Sequence, residues 1–211
     1  MCIRDSRTSS KTQSALLEAM EERQITVDGH TYPLPKPFIV IATQNNVGTA
    51  GTQLLPYAQM DRFLVRLSVG YPDRDAQIAM LRARQDENPL DRVCQVASRE
   101  DVLAMQTAVR AVSVSDAILD YITRLTMASR EHPMLEVGVS PRGALCLCRM
   151  AKARAYLLGR DYAVSEDVQD VWQDVCAHRV AATPKARLSG VTGADILRNV
   201  LSSVESPDQR V

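Results

Sequence analysis

The stretch F-I-V-I-A-T-Q-N (Phe38–Asn45) decides the fold class. Five consecutive apolar residues, Phe38–Ala42, are entered through Pro35 and Pro37. A continuous apolar run of this kind suits a strand covered on both faces of a parallel sheet. It stops abruptly in Thr43-Gln44-Asn45-Asn46. In open parallel sheets, ligands sit in the crevice beyond the carboxyl ends of the strands, where a carboxamide can hold a water or a phosphate oxygen. The same residues also read as a plain polar strand exit turning into a loop.

Upstream, Gln24–Val27 and His30–Tyr32 flank Asp28-Gly29, a strong short signal for a β-hairpin. Before them, Thr8–Glu22 starts polar and carries Leu16, Leu17 and Met20 at helical spacing. Met1–Ser6 shows neither helical nor strand period and no signal-peptide character. Residues 1–6 are therefore expected to be a non-native leader, and the chain a truncated fragment. Downstream come a loop with Gly48 and Gly51, a short helix around Pro56–Met60, and a second strand, Leu64–Val69, closing at Gly70.

From Asp73 onward the pattern is helical. Arg74–Gln85 forms one helix. Ser98 and Asp101 open the next with an S-x-x-D box, followed by a stripe of Val102, Met105, Val109 and Val112. A third spans about Ser115 to Arg130, with Ile118, Ile122 and Leu125 inward. Ser140-Pro141 opens a fourth, whose apolar face is read as Leu145, Cys148, Ala151, Ala155 and Leu158, with a stop at Gly159. Ser165-Glu166-Asp167 caps a fifth bearing Val168, Trp172 and Val175, and a sixth covers Ala194–Val204. Short connections between amphipathic helices make a bundle. The expected architecture is an α/β remnant over 7–72 (two parallel strands and a hairpin insert), then an all-α bundle over 73–211. The joint falls near Gly70–Asp73.

Composition removes several function classes. Among 211 residues, 25 are basic and 25 acidic, with 45% hydrophobic and 24% charged, as in an ordinary globular protein. The longest apolar run is five residues, too short to span a bilayer. Zero net charge and nine aromatics argue against a nucleic-acid surface. Five scattered cysteines read as free thiols in a reducing, cytoplasmic compartment. Cys146 and Cys148, two apart on a helix, face opposite sides, and His30, His132 and His178 have no ligand spacing, so no metal site is expected.

Residues that could carry chemistry remain. Arg62, in Asp61-Arg62-Phe63, reads either as a local ion pair with Asp61 or as a functional cation. Arg142 sits in the first turn of its helix, where a cation opposes the helix dipole at a cost of about 0.3–1 kcal/mol. It is either aimed at an anion or solvated. Gly138 and Gly143 have the spacing of a phosphate-binding loop, but Ala144 and Leu145 follow in place of Lys and Ser/Thr, so that match is rejected. Trp172 reads as core packing.

Together, K-T-Q-S-A-L-L-E-A-M-E-E-R-Q (Lys11–Gln24), F-I-V-I-A-T-Q-N (Phe38–Asn45), A-Q-M-D-R-F (Ala58–Phe63), S-P-R (Ser140–Arg142) and G-R-D-Y-A-V-S-E-D-V (Gly159–Val168) resemble the MoxR family of AAA+ ATPases, in order from Arg7 to about Pro207. The resemblance implies an ATPase module with a β-hairpin inserted near its second core helix and a helical lid. It implies ATP with Mg²⁺, assembly into rings (usually hexamers), and chaperone-like work on a client protein in metal insertion or complex maturation. Asn45 matches the sensor-1 position, which orients the attacking water. Arg62 matches the arginine finger, presented to a neighbour's nucleotide, and Arg142 matches sensor 2, which couples nucleotide state to the lid. Each role needs a group that stabilises developing phosphate charge.

The departures are specific. The family's phosphate-binding loop has no counterpart here, and its metal-binding Asp-Glu pair would fall on Ile3 and Arg4. Asn46 replaces a usual proline, Tyr57 a usual glutamate, and Val47–Leu55 differs from the common loop. The intact parent is therefore expected to hydrolyse ATP, and this chain alone is not. The alternative is a non-enzymatic helical adaptor reusing the lid.

Overall fold

The computed structural model describes residues 2–4 (backbone only), 19–43, 57–85 and 88–207. The hydrophobic core lies almost wholly in the C-terminal helices. It gathers Ile118, Tyr121, Leu125, Leu147, Trp172 and Leu197, with Val65 packing on it from the N-terminal part. No helix among the described residues is long and apolar enough to cross a membrane.

Three small sheets are present among the described residues. Strand β1 (Cys2–Arg4) pairs in parallel with β4 (Ile41–Thr43), setting Cys2 opposite Ile41 and Arg4 opposite Thr43. Strands β2 (Gln24–Val27) and β3 (His30–Pro33) form the expected antiparallel hairpin. Its two turn residues, Asp28 (φ 50°) and Gly29 (φ 78°), both take positive φ, as a primed two-residue turn requires. Strands β5 (Leu135–Val137) and β6 (Ala181–Ala182) pair antiparallel inside the lid and carry no sequence period long enough to read.

The helices follow their caps. Helix α1 is Tyr57–Met60, α2 is Arg74–Ala83 and α3 is Arg99–Ala111, the last opened by the full Ser98/Asp101 capping box. Helix α4 (Asp116–Glu131) buries Ile118, Ile122 and Leu125 as expected, plus Tyr121. Helix α5 (Pro141–Leu157) begins with Ser140 as N-cap, whose hydroxyl accepts from Gly143 N at 3.1 Å. Helix α6 (Ser165–Cys176) buries Val168, Trp172 and Val175, with the indole N–H donating to Leu197 O at 3.0 Å. Helices α7 (Pro184–Leu188) and α8 (Gly193–Ser203) complete the bundle.

Four expectations change. Residues 2–4, which show no strand period in the sequence, form β1. The strand read over Phe38–Ala42 starts at Ile41, and Ile39 and Ile41 are exposed rather than covered on both faces. Leu64–Val69 makes no ladder. It runs extended, with Arg66 N donating to Asp174 O at 2.9 Å and Leu67 and Val69 exposed. An apolar run becomes a strand only where a neighbour completes its hydrogen bonds, and no described segment does so here. Leu145 on α5 and Leu158 at its C-cap face solvent; Ala151 and Ala155 are buried as expected, and Gly143, Cys146 and Leu147 are buried with them, Gly143, Leu147, Ala151 and Ala155 forming a stripe. These recur every four residues, with Gly143 against Val139 and Arg179 and Ala155 packed with Val112 and Ala163.

Residues 8–18 of the first expected helix lie outside the described residues, while 19–22 are helical. Gln44, Asn45, Asn46 and the loop with Gly48 and Gly51 also lie outside them.

Candidate functional site

Arg62 stands in the tight turn that ends α1. The backbone N–H groups of Asp61, Arg62 and Phe63 donate back to Tyr57, Gln59 and Met60. The lid grips this turn through Arg179, whose side chain is fully buried. Arg179 Nη2 donates to Phe63 O at 2.6 Å and to Asp61 O at 3.1 Å. Its Nη1 donates to Val175 O, and its Nε lies 3.0 Å from Asp61 Oδ1. A guanidinium withdrawn from water this far needs such a set of acceptors, because an unpaired buried charge is strongly destabilising. His178 packs on the same turn, with Nε2 3.1 Å from Phe63 O and 2.6 Å from Arg179 Nη1. Burial, and then the adjacent Arg179 charge, pushes the His178 imidazole down to about 4.

The Asp61 carboxylate reaches a second lid element. Both its oxygens accept from Ser140 Oγ at 3.0 Å, so the N-cap of α5 is tied to the residue preceding Arg62. The loop before α5 is fixed as well. Ser129 Oγ accepts from Val139 N at 3.0 Å, and Arg130 Nε donates to Val139 O at 2.7 Å. Gly138 lies so close to Arg130 that a Cβ there would sit 2.6 Å from its Cα. Gly143 leaves room for Arg179, since a Cβ would meet Val139 Cγ1 at 2.6 Å and Arg179 Cδ at 2.9 Å.

Arg142 is the second residue of α5. It and Arg62 converge on one carboxylate, that of Glu21 in the helical residues 19–22. Arg62 Nη1 pairs with Oε2, and Arg142 Nη2 pairs with Oε1. All three side chains are about a third exposed, at 31%, 39% and 33% for Arg62, Arg142 and Glu21. Two of the expected site residues thus meet, and Asn45 lies outside the described residues. Arg62 pairs with the Glu21 carboxylate, and Arg179 pairs with that of Asp61. The anion that Arg142 faces, against the helix dipole, is also Glu21.

Glu21, Ser140 as a side-chain ligand of Asp61, His178 and Arg179 were not legible as site residues. Glu21 is one of several carboxylates in Lys11–Gln24, and nothing in the spacing separates it from Glu18 or Glu22. Arg179 stands between His178 and the apolar run Val180-Ala181-Ala182, a faint sign that its charge is buried.

Divalent metal fits poorly. Ile3 and Arg4 of β1 occupy the positions where the resemblance places an Asp-Glu pair, and neither side chain offers an oxygen donor. Among the described residues, no group of three His, Cys, Asp or Glu side chains is placed to hold a metal.

Comparison with known proteins adds the following. The family model for the ATPase family associated with various cellular activities (AAA) matches residues 3–65, and that for the AAA lid domain matches residues 127–200. Protein YeaC of Bacillus subtilis is 43% identical over 204 residues, covering 97% of this chain and 64% of that protein. Chaperone MoxR1 of Mycobacterium tuberculosis is 35% identical over 210 residues, covering 95% of this chain and 55% of that protein. The chain therefore spans between about half and two thirds of the length of these relatives. A crystal structure from Cytophaga hutchinsonii, described as that of a candidate ATPase, superposes with a TM-score of 0.90 at 34% identity, over 98% of this chain and 66% of that one.

Proposed function

The chain belongs to the MoxR family of AAA+ ATPases, and from that premise we propose that it supplies the arginine side of an ATP-hydrolysing site formed between neighbouring subunits of a ring. Arg62 acts as the finger and Arg142 as sensor 2, both on the same nucleotide. The observation that carries this is their convergence on one carboxylate. Two guanidinium groups that reach the two oxygens of one carboxylate can also reach the oxygens of one terminal phosphate. There they stabilise the charge that develops on the transferring phosphoryl group.

The nucleotide they serve is the neighbour's. Ile3 and Arg4 leave this chain without the carboxylates that would hold Mg²⁺ beside a nucleotide of its own, so no step is routed through that ion. Asn45, two residues beyond β4 in the sequence, is assigned to orient the attacking water. The ring, expected as a hexamer, does chaperone-like work in the cytoplasm on a client protein, in metal insertion or complex maturation.

Alone, the 211-residue chain is expected to turn over no ATP above background. The test mixes it with a full-length MoxR-family ATPase whose arginine aligned with Arg62 is replaced by alanine. In mixed assemblies, verified by analytical ultracentrifugation, the wild-type chain should restore turnover. The Arg62→Ala chain should restore roughly 10³-fold less, the scale of a lost finger. Mixed assemblies that recover no turnover with the wild-type chain would count against the reading.

A further inference from the structure

We propose that Glu21 is a detachable counter-ion that occupies the place of a terminal phosphate between Arg62 and Arg142, presetting the pair for a polyphosphate while closing it until Glu21 leaves. The proposal takes its ligand class, a polyphosphate, from the function proposed above.

The two arginines are anchored without Glu21. Arg62 rides on the turn gripped by Arg179, and Arg142 rides on the first turn of α5, whose N-cap Ser140 is bonded to Asp61. Their backbones are joined across the Asp61–Ser140 bond, so their spacing does not depend on the carboxylate between them. Glu21 belongs to another segment. The chain turns at Arg23 (φ 54°), whose carbonyl accepts from Leu34 N at 2.8 Å, so Glu21 is attached to the hairpin and not to the turn or the helix that carries the arginines. It can withdraw while the arginines stay put.

Charge favours exchange. Two guanidinium groups against one carboxylate leave a net positive charge, and the positive end of α5 adds to it at Arg142. The ion pairs are partly open to solvent, the class in which a Coulombic gain is small. A polyphosphate brings more charge and more acceptor oxygens to the same fork-shaped donors. It should displace the carboxylate, and removing the carboxylate's charge should ease its entry.

The probe is inorganic tripolyphosphate, titrated calorimetrically into the full chain at fixed ionic strength. Glu21→Gln keeps shape and removes charge, and it should bind about tenfold tighter than wild type. The gain should vanish in Glu21→Gln/Arg62→Ala and in Glu21→Gln/Arg142→Ala. Glu21→Asp, a charged control with a shorter reach, should fall between wild type and Glu21→Gln, and circular dichroism checks that each variant is folded. Binding by Glu21→Gln no tighter than wild type, or a gain that survives loss of either arginine, would overturn the proposal. The titration involves no hydrolysis, so the two readings fail separately. An unchanged affinity with turnover restored in mixed assemblies removes the counter-ion alone, and a tighter affinity without restored turnover removes the finger alone.

Discussion

His178 stores a pH dependence in the contact between the lid and the Arg62 turn. In the folded chain the imidazole is held at about 4 by burial and by Arg179, whereas an unfolded histidine titrates near 6.5. Between those values the unfolded state binds a proton that the folded state refuses. Stability is therefore full above about pH 6.5 and falls as the pH drops through about 4, by up to about 3 kcal/mol. Urea denaturation of wild type at pH 7 and pH 4.5 should show this decline, and His178→Gln should flatten it. Equal declines in both proteins would assign the effect to other groups. At this scale the sequence is informative only where a residue sits in a motif. Arg62 and Arg142 are marked by D-R-F and S-P-R, but their partner is not. Glu21 and Arg142 lie 121 residues apart, and the meeting of two side chains that distant follows from how segments pack. Adjacency misleads here, because consecutive side chains in a turn point apart. Asp61 thus reaches Arg179 and Ser140, while Arg62 reaches Glu21.

Among the elements, α5 makes the sharpest demand on sequence. By helix propensity, Gly143→Ala should stabilise by about 1 kcal/mol. The added methyl would lie 2.6 Å from Val139 Cγ1 and 2.9 Å from Arg179 Cδ. Both neighbours are buried, Val139 at 0% and Arg179 at 3% exposure, so neither can step aside cheaply. Overpacking of this sort costs about 1–3 kcal/mol, and the variant should melt below wild type in a thermal scan. A higher melting temperature would mean that the contact yields. Caps and turns were the legible part of the elements. Ser98/Asp101, Ser140-Pro141 and Asp28-Gly29 act within a few residues, and each is found in place. Faces were less legible. The expected face of α5 holds at Ala151 and Ala155, but size and apolarity point to Leu145 and Leu158, which are exposed, while Gly143, Cys146 and Leu147 are buried. The run Leu64–Val69 has strand composition but no paired edge among the described residues, and composition cannot supply one.

On the scale of the whole chain, stability is concentrated where the core is. Apart from the contribution of Val65, the cluster around Trp172 and Leu147 is built from residues after Asp73. Residues 73–211 should therefore fold alone and melt cooperatively, with the near-ultraviolet dichroism of Trp172 retained. They should also melt below the full chain, since Arg179 would lose Asp61 and the Phe63 carbonyl. A non-cooperative transition, or a melting temperature equal to that of the full chain, would contradict this.

Helix α3 carries a consequence for how hairpin and lid share motion. None of its residues is buried. Among the described residues, Arg99 Nε at its start donates to Lys36 O just past the hairpin at 2.5 Å, and at its end Lys152 Nζ donates to Arg110 O at 2.7 Å while Val112 packs with Ala155 and Ala163 of the lid. Between those fastenings lies a rod of 13 residues, about 20 Å long. Such a rod works as a gauge block. A change in the spacing between the Lys36 segment and the lid would have to break the Arg99 bond or shift Val112. Its length is also quantised, because one added residue would lengthen it by about 1.5 Å and swing Arg99 by about 100° from the carbonyl it holds.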